Sequence, residues 1–183
     1  MADDLKWVDQ FRNGDEKAFN ELIHRYKKPI YYVILRMVRN HDDAIDLAQD
    51  TFVRAYRHIQ SFKGESGFYT WLCRIAVNLS VNHINRNKTR FWESFEDVPK
   101  PVKTHKGNPS ESLDREELQT AIDKAIVSLP EKQRVIFILR YYEEMSHQKI
   151  ANLLGKSVGT IKAGYFHAVK KLQQELADYE RGV

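Results

Sequence analysis

Apolar positions recur at helical spacing along most of the chain, and no half of it is rich in strand-like alternation. Asp3 to Arg39 reads as helix, with Leu5, Val8 and Phe11 on one face and a break at Asn13-Gly14-Asp15. The pattern restarts through Phe19, Leu22, Ile23 and Tyr26, with Asp15 placed to cap the new helix. Pro29 suits the first position of a fresh helix over the densely apolar Ile30–Val38. Asn40-His41-Asp42-Asp43 is a turn and a helix start whose acids complement the helix dipole. Ile45, Ala48, Phe52, Ala55 and Ile59 form the apolar stripe that follows. From Phe62 a loop containing Gly64, Glu65, Ser66 and Gly67 leads into an amphipathic helix ending near Arg86. Leu72, Ile75 and Leu79 face its core side, while Arg74, Asn78 and Asn82 recur every fourth residue on another.

Between Phe91 and Asp114 the periodicity lapses. Pro99, Pro101 and Pro109 stand among Lys, Ser, Thr, Gly and Asn, the composition of a linker without a core of its own. The expected division is therefore a domain over 1–92, a linker over 93–113 and a domain over 114–183. In the last of these, Leu113, Leu118, Ile122, Ala125 and Ile126 mark one helix. Leu129-Pro130 breaks it, and Pro130 suits the first position of the next, which carries Val135, Ile136 and Leu139. Ser146 caps a short helix holding Ile150, Ala151, Leu153 and Leu154, and Gly155 suits a left-handed C-terminal position. Lys156-Ser157 caps a last helix through Thr160, Ile161, Tyr165, Val169 and Leu172. A short helix, a tight turn with glycine and a longer helix make a helix-turn-helix. The pattern predicts an all-α fold of two small helical domains on a flexible linker.

Charge narrows the picture. The net charge is +4, and its excess lies in the first half, with 15 Lys+Arg against 11 Asp+Glu over residues 1–92. Residues 114–183 carry 11 against 10. Ser66 to Trp92 contains no acid, and neither does Met145 to Gln174, which holds five lysines and two histidines. A cationic, amide-bearing helix behind a glycine-rich aromatic loop is what reading nucleic-acid bases needs. The helix-turn-helix adds a second element suited to duplex DNA, its early residues meeting base edges and its later lysines meeting phosphate. Both faces also have the plain reading of a solvated helix surface, and the second that of an ordinary helical hairpin. The row Asp42, Asp46 and Asp50, with Gln49, Arg54 and Arg57 nearby, reads either as solvated charge or as a patch that docks another protein.

Other chemistry is excluded or unsupported. The lone Cys73 rules out an intramolecular disulfide and a cysteine-rich zinc site, and suits a small buried position. His41 stands beside aspartates, but no second histidine lies at ligand spacing, so neither a metal nor a cofactor is expected. No phosphate-binding glycine loop, HExxH or Gly-x-Ser-x-Gly occurs, and no activated nucleophile or paired carboxylates suggest an enzyme. The acidic N-terminus lacks an apolar signal region, and no run approaches the roughly 18 residues of a membrane span, so a cytoplasmic protein without membrane insertion is expected.

Asp46-Leu47-Ala48-Gln49-Asp50-Thr51-Phe52-Val53-Arg54-Ala55-Tyr56, Phe62-Lys63-Gly64 with Phe68-Tyr69-Thr70-Trp71-Leu72, and Arg74-Ile75-Ala76-Val77-Asn78 resemble region 2 of bacterial sigma factors. Leu129-Pro130 to Leu172, including Gly159-Thr160-Ile161-Lys162, resembles region 4. With only these two regions, the chain resembles the extracytoplasmic-function (group IV) sigma factors over roughly residues 10–92 and 115–175. The resemblance implies a factor that binds core RNA polymerase and directs promoter-specific initiation, in a stress or envelope response. It implies that Asp46, Gln49, Asp50 and Arg54 dock on the clamp coiled coil of the largest catalytic subunit, the flap region being a further contact. It implies that the loop Phe62, Lys63, Gly64, Glu65, Ser66 and Gly67 holds a base flipped from the non-template strand of the minus-ten element; Phe62, Phe68 and Tyr69 are aromatics that can stack on it or wall its pocket, with Trp71 expected in the core. Arg74, Asn78 and Asn82 would contact and help melt that element.

The same resemblance gives the helix from Ser157 onward the minus-thirty-five element, with Lys156, Ser157, Thr160, Lys162, Ala163, His167 and Lys170 as its contacts, and runs the linker through the polymerase toward its active-site cleft. It also implies an anti-sigma partner. The chain departs from the family in that helix: Lys162, Ala163, Gly164 and His167 stand where many members carry arginines, and Ser157 where proline is common. Ala163 and Gly164 cannot make the bidentate contact of arginine to guanine, so backbone approach through Gly164 or shape readout is expected to carry more of the recognition. A stand-alone helix-turn-helix regulator is the alternative. It leaves the loop and helix over Phe62–Arg86 without a role.

Overall fold

A computed structural model describes residues 2–86 and 109–182, and among these only helices and turns occur. The linker expected over 93–113 lies outside the described residues, except that its last five positions already belong to a helix beginning at Pro109. The described residues form two compact units, one around the N-terminal helices and one around the C-terminal helices.

The N-terminal unit contains α1 (Ala2–Arg12), α2 (Glu16–Val38), α3 (His41–His58), a 3₁₀ turn (Ile59–Ser61) and α4 (Phe68–Arg86). Asp15 caps α2 through its side chain, which accepts from the Lys17 amide at 3.1 Å. Pro29 does not open a helix, contrary to the sequence expectation; α2 runs straight through it. Ala18, Phe19 and Leu22 before it and Ile30, Val33, Ile34 and Met37 after it share one buried face. Burial of those side chains outweighs the roughly 3 kcal/mol that an interior proline costs. Asn40 caps α3, accepting from the Asp43 amide at 2.9 Å. The buried stripe of α3 is Ala44, Leu47, Ala48, Thr51, Phe52 and Ala55; Ile45, expected in it, is exposed because the stripe begins one residue earlier.

Helix α2 packs against α1, α3 and α4, and α3 packs against α4. A polar cluster fastens α1 to this core. Asp4 is only 4% exposed and accepts from Arg25 at 2.7 Å and from the Tyr26 hydroxyl at 2.7 Å. The Arg25 guanidinium also lies 4.3 Å from the centre of the Trp7 ring. Tyr26 in turn stacks on Tyr69 of α4, with centroids 5.4 Å apart. Cys73, Leu72 and Leu79 are buried in α4 as expected, while Ile75 is only half-buried.

The C-terminal unit contains α5 (Pro109–Ser128), α6 (Glu131–Tyr141), α7 (His147–Leu154) and α8 (Val158–Gly182). Its core gathers Ala125, Ile126, Leu129, Phe137, Ala168 and Leu172, with Tyr142 and Tyr165 packed against it. Pro130 precedes the first turn of α6 as its cap instead of occupying the first helical position, one place earlier than expected. Ser146 and Ser157 cap α7 and α8 as expected, accepting from the amides of Lys149 at 3.2 Å and Thr160 at 3.1 Å. Gly155, at φ +63, ends α7 in the left-handed region, and the next amide, Lys156, returns to the Ala151 carbonyl at 3.0 Å.

The Asp4 cluster is testable through Tyr26. Burial, reinforced by the hydrogen bond to Asp4, pushes its phenol up to about 12 from an ordinary 10.0. With the folded value above the unfolded one, the protonated phenol stabilises fully below pH 10, and that contribution is lost as pH climbs through about 12. A difference titration of wild type against Tyr26→Phe by phenolate absorbance should show one tyrosine with a midpoint near 12. A midpoint near 10 would mean that the phenol is not held as described.

Candidate nucleic-acid interface

The loop over residues 62–67 is built between a buried anchor and an exposed crest. Phe62, which the family resemblance assigned to the base-holding pocket, is 4% exposed. Its ring meets Phe68 edge-on at 5.6 Å and Trp71 at 5.4 Å, and Phe68 is itself buried. Phe62 and Phe68 form the floor beneath the loop and are too buried to offer a ring face to a base, which corrects the expectation that they stack on one. The cause is the 3₁₀ turn, which delivers Phe62 inward before the chain reverses at Gly64, φ +74. Tyr69 has its face taken by Tyr26. Lys63, Gly64 and Glu65 are exposed and Ser66 and Gly67 half-exposed, so the polar part of the loop forms the crest.

Behind it, Arg74, Asn78 and Asn82 are all exposed on α4, at the one-turn spacing read from the sequence. The opposite face of α4 is apolar and buried, so the row is held on a rigid backbone. His83, further along, pairs with Asp43 at the start of α3 at 3.1 Å.

On α3, Asp46, Gln49, Asp50 and Arg54 are all exposed, on the side away from the buried stripe. Alongside them lies a feature that the periodicity concealed. Phe19, Ile23, Phe52, Val53 and Tyr56, rimmed by Glu16, Asn20 and Arg57, line an open groove of about 540 Å³ between α2 and α3. Val53 and Tyr56 are 46% and 45% exposed. The signal available in the sequence was that both fall outside the apolar stripe of α3 while being apolar themselves.

In the C-terminal unit, the turn and α8 expose Lys156, Ser157, Thr160, Lys162, Ala163, His167 and Lys170. The Ser157 hydroxyl is committed to its cap and to the Thr160 hydroxyl at 2.8 Å. Phe166 lies on the same exposed side, 63% exposed, with its ring 5.6 Å from that of His167. Sequence reading passed over it. Its position three and four residues beyond Ala163 and Lys162, off the Ile161–Ala168–Leu172 core face, was the available signal.

Gly164 faces the other way. A Cβ there would lie 2.6 Å from Cδ1 of Ile136, so this glycine leaves the room on α8 that the tip of the Ile136 side chain of α6 occupies. The expectation of backbone approach to DNA through Gly164 is thereby corrected: the residue is on the packing side of the helix.

Against this geometry, comparison with known proteins is direct. Residues 22–90 match the family model for sigma-70 region 2, and residues 119–172 that for sigma-70 region 4. The RNA polymerase sigma-H factor of Pseudomonas aeruginosa is 33% identical over 180 residues, covering 94% of this chain and 93% of that protein. The ECF RNA polymerase sigma factor SigW of Bacillus subtilis is likewise 33% identical over 94% of this chain and 96% of its own length. The ECF RNA polymerase sigma-E factor of Escherichia coli K12 is 34% identical over 92% of each chain. Among solved structures, the sigma factor RpoE of Bartonella quintana, in complex with the anti-sigma factor NepR, is similar with a TM-score of 0.67 and 26% identity over 88% of this chain and 98% of its own. CnrH, in complex with the cytosolic domain of CnrY, shares the fold with a TM-score of 0.71 and 22% identity over 97% of this chain and 99% of its own. The chain belongs to the sigma-70 family of bacterial transcription initiation factors, and within it to the extracytoplasmic-function group.

The close contact at Gly164 gives a stability prediction. Gly164→Leu should destabilise the C-terminal unit by about 1–3 kcal/mol through overpacking, and Ile136→Ala in the same chain should restore part of the loss. Denaturant unfolding of the single and double variants measures the coupling. Independent, additive effects would show that the two positions are not in contact.

Proposed function

We propose that the chain binds core RNA polymerase through the exposed side of α3, opens the minus-ten element with the loop and α4, and reads the minus-thirty-five element with α8. The observation that carries this reading is the row Arg74, Asn78 and Asn82, exposed one turn apart directly behind a loop whose anchor is buried. Asn side chains carry a donor and an acceptor suited to base edges, and once the strands part those edges are within reach of a helix face. Extracting a base costs a few kcal/mol, so a loop that binds the extruded base converts binding energy into strand opening.

Asp46, Gln49, Asp50 and Arg54 provide the polar and charged contacts for the clamp coiled coil, and the neighbouring groove with Val53 and Tyr56 offers an apolar seat of the kind that docked helices use. On α8, Lys162 and Lys170 neutralise phosphate, Thr160 and His167 offer hydrogen bonds to base edges, and Ala163 with Phe166 offers apolar contact to thymine methyl groups. Two modest DNA contacts on one chain reinforce each other through effective concentration once polymerase holds both sites. The factor itself catalyses no covalent step and works in the cytoplasm with polymerase. The sigma factor RpoE is bound to an anti-sigma factor in its solved complex. We extend this to an expectation that an anti-sigma protein covers the polymerase-binding side of this chain.

Run-off transcription with purified core polymerase on genomic fragments tests the proposal, and promoter-dependent products are expected. Their absence, under conditions where a known sigma factor works, would overturn it and favour a stand-alone regulator. Asn78→Ala should slow promoter opening about three- to tenfold, the worth of one hydrogen bond, with core affinity unchanged. Phe166→Ala should weaken binding to the upstream duplex roughly fivefold or more, and replacing the contacted thymine by uracil should reproduce that loss in the wild type. A Phe166→Ala variant indistinguishable from wild type on both duplexes would remove the methyl contact from the account.

A further inference from the structure

Helix α1 lies before the segment that matches sigma-70 region 2, which begins at residue 22. Yet α1 holds the loop that the proposed reading assigns to the single strand. One terminal nitrogen of Arg12 donates to the carbonyl oxygens of Ile59 at 2.9 Å and Gln60 at 3.3 Å, and also to that of Phe62. The Arg12 side chain is 27% exposed, and the other terminal nitrogen of its guanidinium lies 3.6 Å from Asp9, which orients it from within the same helix.

These carbonyls are where α3 and its 3₁₀ extension end. The last carbonyls of a helix carry the negative end of its dipole and have acceptor capacity to spare, here beyond the one bond that Ile59 accepts from the Phe62 amide at 3.2 Å, so a cation placed there satisfies hydrogen-bonding groups and charge together. All three acceptors converge on one terminal nitrogen, while the other faces Asp9; the single ammonium of lysine has no second nitrogen for that orienting contact. Leu5 of α1 also stands close to the loop, over Gly64. Cδ2 of Leu5 is 3.7 Å from the position that a Gly64 side chain would first occupy. The polar cluster of Asp4, Arg25 and Tyr26 fixes α1 itself on α2.

We propose that Arg12 is the positioning residue of the strand-reading loop: it fixes the direction in which the chain leaves Phe62, and so sets the discrimination among bases that the crest over residues 63–67 can exercise. The inference rests on the reading of this loop as the single-strand element. A base-holding loop that is ordered before the base arrives loses less entropy on binding, and its base preference depends on that order. Arg12 need not touch DNA for this.

The test uses the full chain with Arg12→Ala and, as a variant that keeps the charge and the fold, Arg12→Lys. Two readouts are compared. Amide exchange of the free protein should rise at least about tenfold over residues 62–67 in both variants, with α3 and α4 amides unchanged. Assembled with core polymerase on pre-melted promoters carrying each base in turn along the minus-ten non-template strand, wild type should prefer one base at the loop position. The variants should flatten that preference at least about fivefold while binding core polymerase as wild type does. Unchanged exchange in the loop would overturn the inference whatever the protein does. Raised exchange with the base preference intact would overturn the positioning role. A wild type with no base preference on any promoter would overturn the parent reading, while the exchange result would still decide whether Arg12 holds the loop.

Discussion

The N-terminal unit depends on packing three aromatic rings, the buried Phe62 and Phe68 and the half-buried Trp71, at the point where α3 gives way to α4. An exposed six-residue loop has little to order it by itself, and each ordered residue costs about 1–2 kcal/mol of backbone entropy. Large rings whose centroids lie within 6 Å of each other supply apolar burial and edge-to-face attraction at the two ends of the loop. That leaves only the crest to be defined, and Gly64 in the left-handed region lets the chain reverse there without a side chain in the way. Arg12 and the Asp4 cluster then tie this arrangement to α1, so that on the proposed reading the first helix serves the strand-opening loop as well as the core.

The C-terminal unit solves a different problem. Duplex DNA is read by a helix presented at a fixed angle, so what matters is how closely α8 is held by α6 and α5. Gly164 leaves room on α8 for the tip of Ile136, and Phe137, Ala168 and Leu172 fill the space beside it. The opposite face of α8 is left with two lysines, a threonine, a histidine, an alanine and a phenylalanine. This mixture differs from an arginine-rich reading helix in kind, and under the proposed function phosphate charge and methyl contacts take the place of bidentate recognition of guanine.

Much of this was legible in the sequence, for identifiable reasons. The caps at Asp15, Ser146 and Ser157, the turn at Gly155 and the exposed row Arg74–Asn78–Asn82 all follow from local rules, and local rules are what a sequence carries. The misreadings have a common origin in tertiary context. Pro29 looked like a helix start, but packing on both sides carried α2 through it. Gly164 looked like a point of backbone approach to DNA, and only the position of Ile136 shows that it faces the packing side. Phe62 looked like a pocket wall because it borders the loop, whereas the 3₁₀ turn sends it inward. Arg12 could not have been paired with carbonyls some 50 positions away by any periodicity. Phe166 and the groove at Val53 and Tyr56 were readable in principle, as apolar residues off the core stripe.

The central claim is that a stiff loop captures one unstacked base while the helix behind it reads its neighbours. The most direct measurement places 2-aminopurine at each position in turn along the non-template strand of the minus-ten element and follows its fluorescence when the factor and core polymerase bind. The account predicts a large increase at one position, where stacking is lost into the loop, lesser changes at its neighbours, and dependence of the large increase on the residues 63–67. Uniform small changes along the strand, or the same increase with the loop residues replaced, would contradict it.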